Sequence, residues 1–250
     1  MADPSQVSVV IPAFNEEEGI GPTIEDLLSR HSWGEVLVVD DGSTDATAAR
    51  ASAAGARVVR HPYNKGNGAA VKTGIREAGG RILLLMDGDG QHDPAEAEKL
   101  VQAMGDHDMV IGSRYVPGGG IANWKLHRRV LSRFANWYTR VLLGLTQHDC
   151  TSGYRGYRRE VLESVDPFAV PFSGYSFLEE MVWRVHRAGF RIAEVPIVFT
   201  DRHLGISKID RYEIFMAAWH VLATAWDRLR GRAPSAERPA DSSDGRRPST

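Results

Sequence analysis

Short runs of β-branched and aliphatic residues alternate with helical patterns along the first half of the chain. This alternation constrains the fold more than any other feature. "VSVVI" (7–11), "EVLVVD" (35–40), "ARVVRH" (56–61), "RILLLMD" (81–87) and "DMVIGS" (108–113) read as strands. "EEGIGPTIEDLLSR", "TDATAARASAAG", "NGAAVKTGIREAG" and "PAEAEKLVQAMG" between them read as helices. Strands and helices in strict turn imply βαβ units and a parallel sheet. The strands are apolar without interruption, as expected when helices cover both faces of the sheet. Right-handed crossovers then bring the C-terminal ends of the strands to one rim, where open α/β sheets bind ligands.

The loops that leave that rim are polar and glycine-rich: "PAFNEE", "DDGSTD", "HPYNKGNG" and "DGDGQHD". The last of them places Asp87, Asp89 and Asp93 close together after a buried strand. Carboxylates so close repel. Two hard oxygen donors separated by Gly88 suit Mg²⁺ or Mn²⁺, with substrate phosphates completing the shell, although a solvated turn of Asp and Gly has the same pattern. Asp93 is different. It precedes a proline and two acids, "DPAEAE", which is the pattern of an N-cap with Pro at the first helical position. Two rival phosphate motifs are absent. "GNGAAVKT" lacks the G-x-x-x-x-G-K-[ST] spacing, and "PAFNEEEG" contains no G-x-G-x-x-G.

The second half changes character. "IANWKLHRRVLSRFANWYTRVLLGL" (121–145) reads as one long helix. It carries Lys125, Arg128, Arg129, Arg133 and Arg140 and no acid, a local charge of +5. Trp124, Leu131, Phe134, Tyr138, Val141, Leu142 and Leu145 recur at helical spacing. A basic amphipathic helix with aromatics suits a membrane surface, although a core-facing helix with a solvated basic face has the same pattern. "TSGYRGYRREVL" holds a strand and a short helix, "SFLEEMVWRVHRAG" a helix, "FRIAEVPIVF" (190–199) a strand, and 208–229 a helix. Residues 231–250 are rich in Pro, Ser and Arg and read as a disordered tail, leaving 1–230 as a single domain.

The formal net charge of −2 predicts no general affinity for nucleic acid. The lone Cys150 permits no intrachain disulfide and reads as a small buried apolar residue. The N-terminus has no signal-peptide pattern. The longest greasy run, "IFMAAWHVLATAW" (214–226), has 13 residues against the roughly 20 needed to span a bilayer. The expected location is therefore cytoplasmic, with peripheral attachment to the cytoplasmic face of a membrane. The helices at 121–145 and 208–229 are its candidate membrane-surface elements, with Trp219 and Trp226 on the second contacting lipid or a membrane-protein partner.

"IPAFNEE", "VVDDGSTD", "NKGNGAAVKTG", "MDGDGQHDP", "GSRYVPGGG", "DCTSGYRGYRREVL" and "FTDRHLGISKI" resemble, in order and spacing, the motifs of the dolichol-phosphate mannosyltransferases. More broadly they resemble the family-2 polyprenyl-phosphate glycosyltransferases with a GT-A fold. The resemblance spans about residues 7 to 210. It implies a Rossmann-like, nucleotide-sugar-binding α/β fold with a mostly parallel central sheet. Asp87, Asp89 and Gln91 would hold the metal. Pro12, Phe14, Glu16, Val39, Asp41 and Gly88 would line the nucleotide. Turn and cap chemistry around "DGSTD" is the alternative for Asp41 and Asp45, and Asp45 reads as structural. Arg114, Arg202 and Lys208 would contact phosphate and, with Asp89, carry the chemistry. Tyrosine often stands where this chain has Phe14, so a hydroxyl contact is lost there.

The implied reaction transfers a sugar, mannose from GDP-mannose first, to a polyprenyl or dolichyl phosphate with inversion. UDP-glucose and UDP-N-acetylglucosamine are alternative donors. A phosphate acceptor is already ionised and needs no general base, so neither Glu179 nor Glu180 in "SFLEEM" is assigned that role. A transferase using a sugar or protein hydroxyl and a non-catalytic nucleotide-sugar-binding module are the rival readings.

Overall fold

The computed structural model describes residues 3–170, 175–200 and 211–230. Strands β1 (Val7–Ala13), β2 (Glu35–Asp40), β3 (Arg57–Arg60), β4 (Ile82–Leu85), β5 (Met109–Ser113), β7 (Arg155–Arg158) and β8 (Ile192–Pro196) form a seven-stranded sheet in the order β3-β2-β1-β4-β7-β5-β8. β6 (Gly120–Ala122) and β9 (Val198–Thr200) form a separate parallel pair. The helices are α1 (Ile20–Arg30), α2 (Thr47–Ala53), α3 (Asn67–Glu77), α4 (Ala97–Ala103), α5 (Leu126–Leu143), α6 (Arg159–Val165), α7 (Tyr175–Arg187) and α8 (Arg211–Leu229).

The continuously apolar strands serve two cores at once. Val10, Leu37, Val39, Leu83 and Leu85 join α3, α6 and α7 on one face. Their neighbours Val9, Ile11, Val36, Val38, Ile82 and Leu84 join α1, α2 and α4 on the other. Successive side chains of a strand point to opposite faces, so a strand sandwiched between helix layers must be apolar at every position.

Three features depart from the sequence expectation. β7 runs antiparallel to both β4 and β5 and separates them. The strand expected over 190–199 breaks after Pro196: β8 stays in the main sheet, while β9 leaves it to pair with β6. The helix expected over 121–145 begins only at Leu126 and ends at Leu143. Its first residues belong to β6, and Gly144 closes it in the left-handed conformation at φ 66°. Trp124 and Leu145 therefore lie outside the helix, and both are buried.

Strand order reverses between β1 and β4. That is the topological switch point, and the loops after both strands open there. The segments 171–174, 201–210 and 231–250 lie outside the described residues, so the tail and the "DRHLGISK" motif do too.

Candidate active site

The first three rim loops are tied to one another. Pro12 and Val39 are register partners across β1 and β2. Asn15, at φ 53°, donates its N–H to Ser43 Oγ (2.9 Å) and accepts the N–H of Thr44 on Oδ1 (2.9 Å). The N–H of Glu16 is donated to Thr47 Oγ1 (2.8 Å). Phe14 and Glu16 themselves are partly exposed at the mouth. Gly42 sits at φ +76°, and a Cβ there would lie 2.5 Å from the Tyr63 carbonyl carbon. Only glycine lets the second and third loops pass so closely.

Asp41 is 3% exposed, and both its oxygens are engaged within the protein. Oδ1 accepts the Lys65 N–H (2.9 Å) and lies 2.6 Å from His61 Nδ1, while Oδ2 accepts the Gly66 N–H (2.7 Å). His61 Nε2 reaches Thr73 Oγ1 at 2.9 Å. The carboxylate that the family resemblance directs to the nucleotide here builds the third loop. Asp45 has the structural role expected of it, accepting from the backbone N–H groups of Thr47 and Glu17. Burial works to raise its pKa, but these hydrogen bonds prevail and hold it below its ordinary value.

The fourth loop leaves β4 at the switch point. Asp87 and Asp89 are partly exposed there, whereas Gly88 and Gln91 are buried. A Cβ on Gly88 would meet Ile11 Cγ2 at 2.9 Å and Ile20 Cδ1 at 3.0 Å, which explains the glycine between the acids. The Gln91 N–H is donated to Asp89 Oδ1 (3.0 Å) and the Asp87 N–H to His92 Nδ1 (3.0 Å). Asp93 accepts from the Ala95 N–H (2.8 Å) and caps the turn Pro94–Glu96 that leads into α4, as its sequence pattern predicts. Among the described residues no group of three or more His, Cys, Asp or Glu side chains could form a closed protein cage for a metal. Two hard carboxylates at an open edge instead fit a divalent cation that takes most of its remaining ligands from a diphosphate.

Arg114 is expected to contact phosphate. The structure places its guanidinium in a buried, two-point pair with Asp149: Nε–Oδ2 2.7 Å and Nη2–Oδ1 2.7 Å. A third bond joins Nη2 to Thr151 Oγ1 at 2.7 Å. Tyr115, Trp124 and Phe199 surround the guanidinium, with ring centroids 5.5, 5.7 and 5.4 Å from its carbon. Burial alone would raise the Asp149 carboxyl, but the Arg114 charge and hydrogen bonds outweigh it and hold it low. Arg202 and Lys208 lie outside the described residues.

The 149–153 loop connects this pair to the metal-type carboxylates. Asn136 of α5 accepts the Cys150 N–H (2.7 Å) and donates to Thr151 Oγ1 (3.1 Å). A Cβ on Gly153 would lie 3.1 Å from Asp87 Oδ2, so the loop backbone rests against that carboxylate. Arg155, fully buried, donates to the carbonyls of Ser152, Cys150 and Leu178 and ties the loop to α7. Cys150 is buried and its thiol is pushed up to about 12, mainly by burial, which suits packing and not nucleophilic chemistry.

On α7 the two glutamates diverge. Glu180 is bound to Arg184 (2.6 Å) and to His220 of α8 (2.6 Å). Glu179 is pushed up to about 8 by burial, against weaker opposing effects of Arg155 and Thr139.

Sequence reasoning missed Asp149, Asn136, Arg155 and His92. Asp149 alone left a trace, because no Asp or Glu occurs between it and Asp108. An acid ending so long a basic and apolar stretch is a natural partner for one of its arginines. The others are ordinary in one dimension and become distinctive only by position.

A doubly wound sheet whose D-x-D loop opens at the β1/β4 switch point defines a fold of the GT-A type. The chain belongs to glycosyltransferase family 2: the model for "Glycosyl transferase family 2" matches residues 8–166. It is 41% identical over 237 residues to the polyprenol monophosphomannose synthase of Mycolicibacterium smegmatis, covering 89% of each chain. To the undecaprenyl-phosphate mannosyltransferase of Micrococcus luteus it is 38% identical over 239 residues, 91% of this chain and 98% of that one. The dolichol-phosphate mannosyltransferase of Pyrococcus furiosus is 34% identical over 86% of this chain, which spans 62% of that protein. Among solved structures, glucosyl-3-phosphoglycerate synthase from Mycobacterium tuberculosis with Mn²⁺, UDP and glucosyl-3-phosphoglycerate superposes with a TM-score of 0.66 at 25% identity. That superposition covers 92% of this chain and 81% of the other.

Proposed function

We propose that the protein transfers mannose from GDP-mannose to a polyprenyl phosphate at a membrane surface, with inversion at the anomeric carbon. One observation carries the lipid acceptor: α5 leaves a broad apolar face outside. Asn136 and Thr139 are buried beside Leu143, and Tyr138 and Leu142 pack half-buried against the core, while Leu126, Val130, Leu131, Phe134, Trp137 and Val141 are 46–77% exposed. Arg129 and Arg133 are exposed on the same helix. Trp219, Leu222 and Trp226 of α8 are exposed as well, and Tyr138 Oη of α5 donates to the Ala218 carbonyl of α8 (3.0 Å). So broad an apolar and aromatic face, rimmed by arginine, is unfavourable in water and suited to anionic lipid. Among the described residues no helix is long and apolar enough to cross a membrane, so attachment from one side fits the chain.

The acceptor phosphate oxygen attacks the anomeric carbon. A new carbon–oxygen bond forms as the bond to the nucleoside diphosphate breaks, and the electron pair leaves on its terminal phosphate. No proton has to be removed. The environments of the α7 glutamates agree with this: Glu180 is engaged twice, and Glu179 holds its proton at neutral pH. Asp87 and Asp89, with Gln91, would hold Mg²⁺ or Mn²⁺, and the bound cation supplies charge neutralisation for the departing diphosphate. Pro12, Phe14, Glu16 and Val39 line the nucleotide side. Arg114, with Arg202 and Lys208, serves the anionic groups. For Arg114 this requires either exchange of Asp149 for phosphate or action through the loop the pair orders.

Mannose is supported by the names of the three relatives, and GDP as its carrier by the family resemblance. A UDP-sugar is the second reading, supported by the UDP complexes of the structural neighbour. The test mixes purified protein, Mn²⁺ or Mg²⁺, a short polyprenyl phosphate and a panel of labelled nucleotide sugars. Label should enter the lipid phase from GDP-mannose alone and should not do so with Asp89→Ala. Transfer from a UDP-sugar instead would replace the donor, and transfer only to hydroxyl acceptors would overturn the reading.

A further inference from the structure

β4 ends at Leu85, and the last sheet bond on this side is the Met86 N–H to the Val10 carbonyl (3.1 Å). The next amide, that of Asp87, has left the ladder. Gly88 and Gly90 follow and give the loop little stiffness of its own. His92 meets that need from five residues further on. Its Nδ1 accepts the Asp87 N–H at 3.0 Å. Asp87 Oδ2 lies 3.6 Å from the same nitrogen. That is not an ion pair, because a nitrogen whose lone pair takes the amide proton has no proton to offer the carboxylate.

The ring itself is held fast. It is 2% exposed, stacked on Tyr154 at 4.7 Å and 25°, and set edge-on to Phe199 at 5.3 Å and 76°. The Gln91 carbonyl, one residue before, accepts the Thr200 N–H at 3.4 Å. The imidazole thus joins the carboxylate loop to β7's approach on one side and to β9 on the other.

We propose that His92 is a positioning residue for the Asp87 carboxylate, fixing the backbone of the metal-type loop through an unprotonated Nδ1. The inference rests on the metal reading of Asp87 and Asp89. Outer partners that orient a ligand commonly change metal affinity about 10- to 100-fold when removed.

The test compares His92→Asn with His92→Leu. Both lose the ring and its stacking equally. Asn keeps an acceptor where Nδ1 stands, and Leu has nearly the same shape without one. Mn²⁺ binding in the presence of GDP is read by electron paramagnetic resonance, with thermal melting as the folding control. The expected result is near-wild-type Mn²⁺ affinity for Asn and at least about 10-fold weaker binding for Leu. Equal affinities in the two variants overturn the proposal and leave the metal reading intact. Absence of Mn²⁺ binding in the wild type overturns the metal reading, and the proposal with it. Should both variants fail to fold, the ¹⁵N spectrum of the wild-type imidazoles decides. The expected His92 tautomer has a bare Nδ1 and a proton on Nε2, and a protonated Nδ1 overturns the proposal.

Discussion

Gly153 shows how finely one residue can be constrained. Its missing Cβ leaves room for the Asp87 carboxylate, so Gly153→Ala should push that group aside. The expected outcome is weaker Mn²⁺ binding and slower transfer with nearly unchanged melting, checked by metal titration beside calorimetry. The buried Arg114–Asp149 pair makes the opposite prediction. Asp149→Ala strands a buried guanidinium and should cost about 3–5 kcal/mol, read by denaturant unfolding. Glu179 sets a pH dependence. Its carboxyl is pushed from 4.5 up to about 8, so the unfolded chain releases this proton before the folded one does. Its contribution to stability is complete below about pH 4.5 and is lost as pH rises through about 8. Glu179→Gln should flatten the melting-temperature profile across that window and leave transfer active, which separates a buried structural acid from a general base.

At the scale of elements, α5 and β7 do the most to shape the site. α5 keeps its polar residues inward because Asn136 satisfies the 149–153 loop and Ser132 Oγ accepts from Tyr115 Oη (2.7 Å). Leu126, Val130, Leu131, Phe134, Trp137 and Val141 are left outside. Phe134→Ser combined with Trp137→Ser should abolish binding to anionic liposomes while leaving melting unchanged or raised, since both side chains are more than half exposed. Flotation assays at low and high salt should show wild-type attachment weakening as salt rises, because arginines contribute to it. β7, four residues long, fills the space between two parallel strands and carries Arg155 into the interior.

Over the whole molecule, segment 149–153 joins the switch-point loops to α5, with Gly153 against Asp87 and Asn136 bonded to Cys150 and Thr151. In the proposed function, metal chemistry belongs to the rim and membrane attachment to the exposed faces of α5 and α8. Metal removal should respect this division. Chelation is expected to stop transfer yet leave liposome flotation and melting close to wild type, because Asp87 and Asp89 sit at an open edge and not in either core.

Much of this was legible in the sequence. The periodicity of the first half specified β1 to β5 and their helices, because strands buried on both faces must be apolar at every position. The D-x-D loop and the Asp93 cap were legible because their chemistry is local, set by neighbours within a few residues. What required the tertiary structure is long-range. β7's direction depends on which gap in the sheet is open, and "RGYR" has no apolar pattern to announce it. Trp124 and Leu145 share the spacing of the exposed apolar side chains of α5 and are buried because the helix starts late and stops early. Asp41, Arg114 and His92 each turn on a partner 5 to 35 residues away. Composition and spacing establish that a charge is present; only the fold decides whether it faces a ligand or another residue of the same chain.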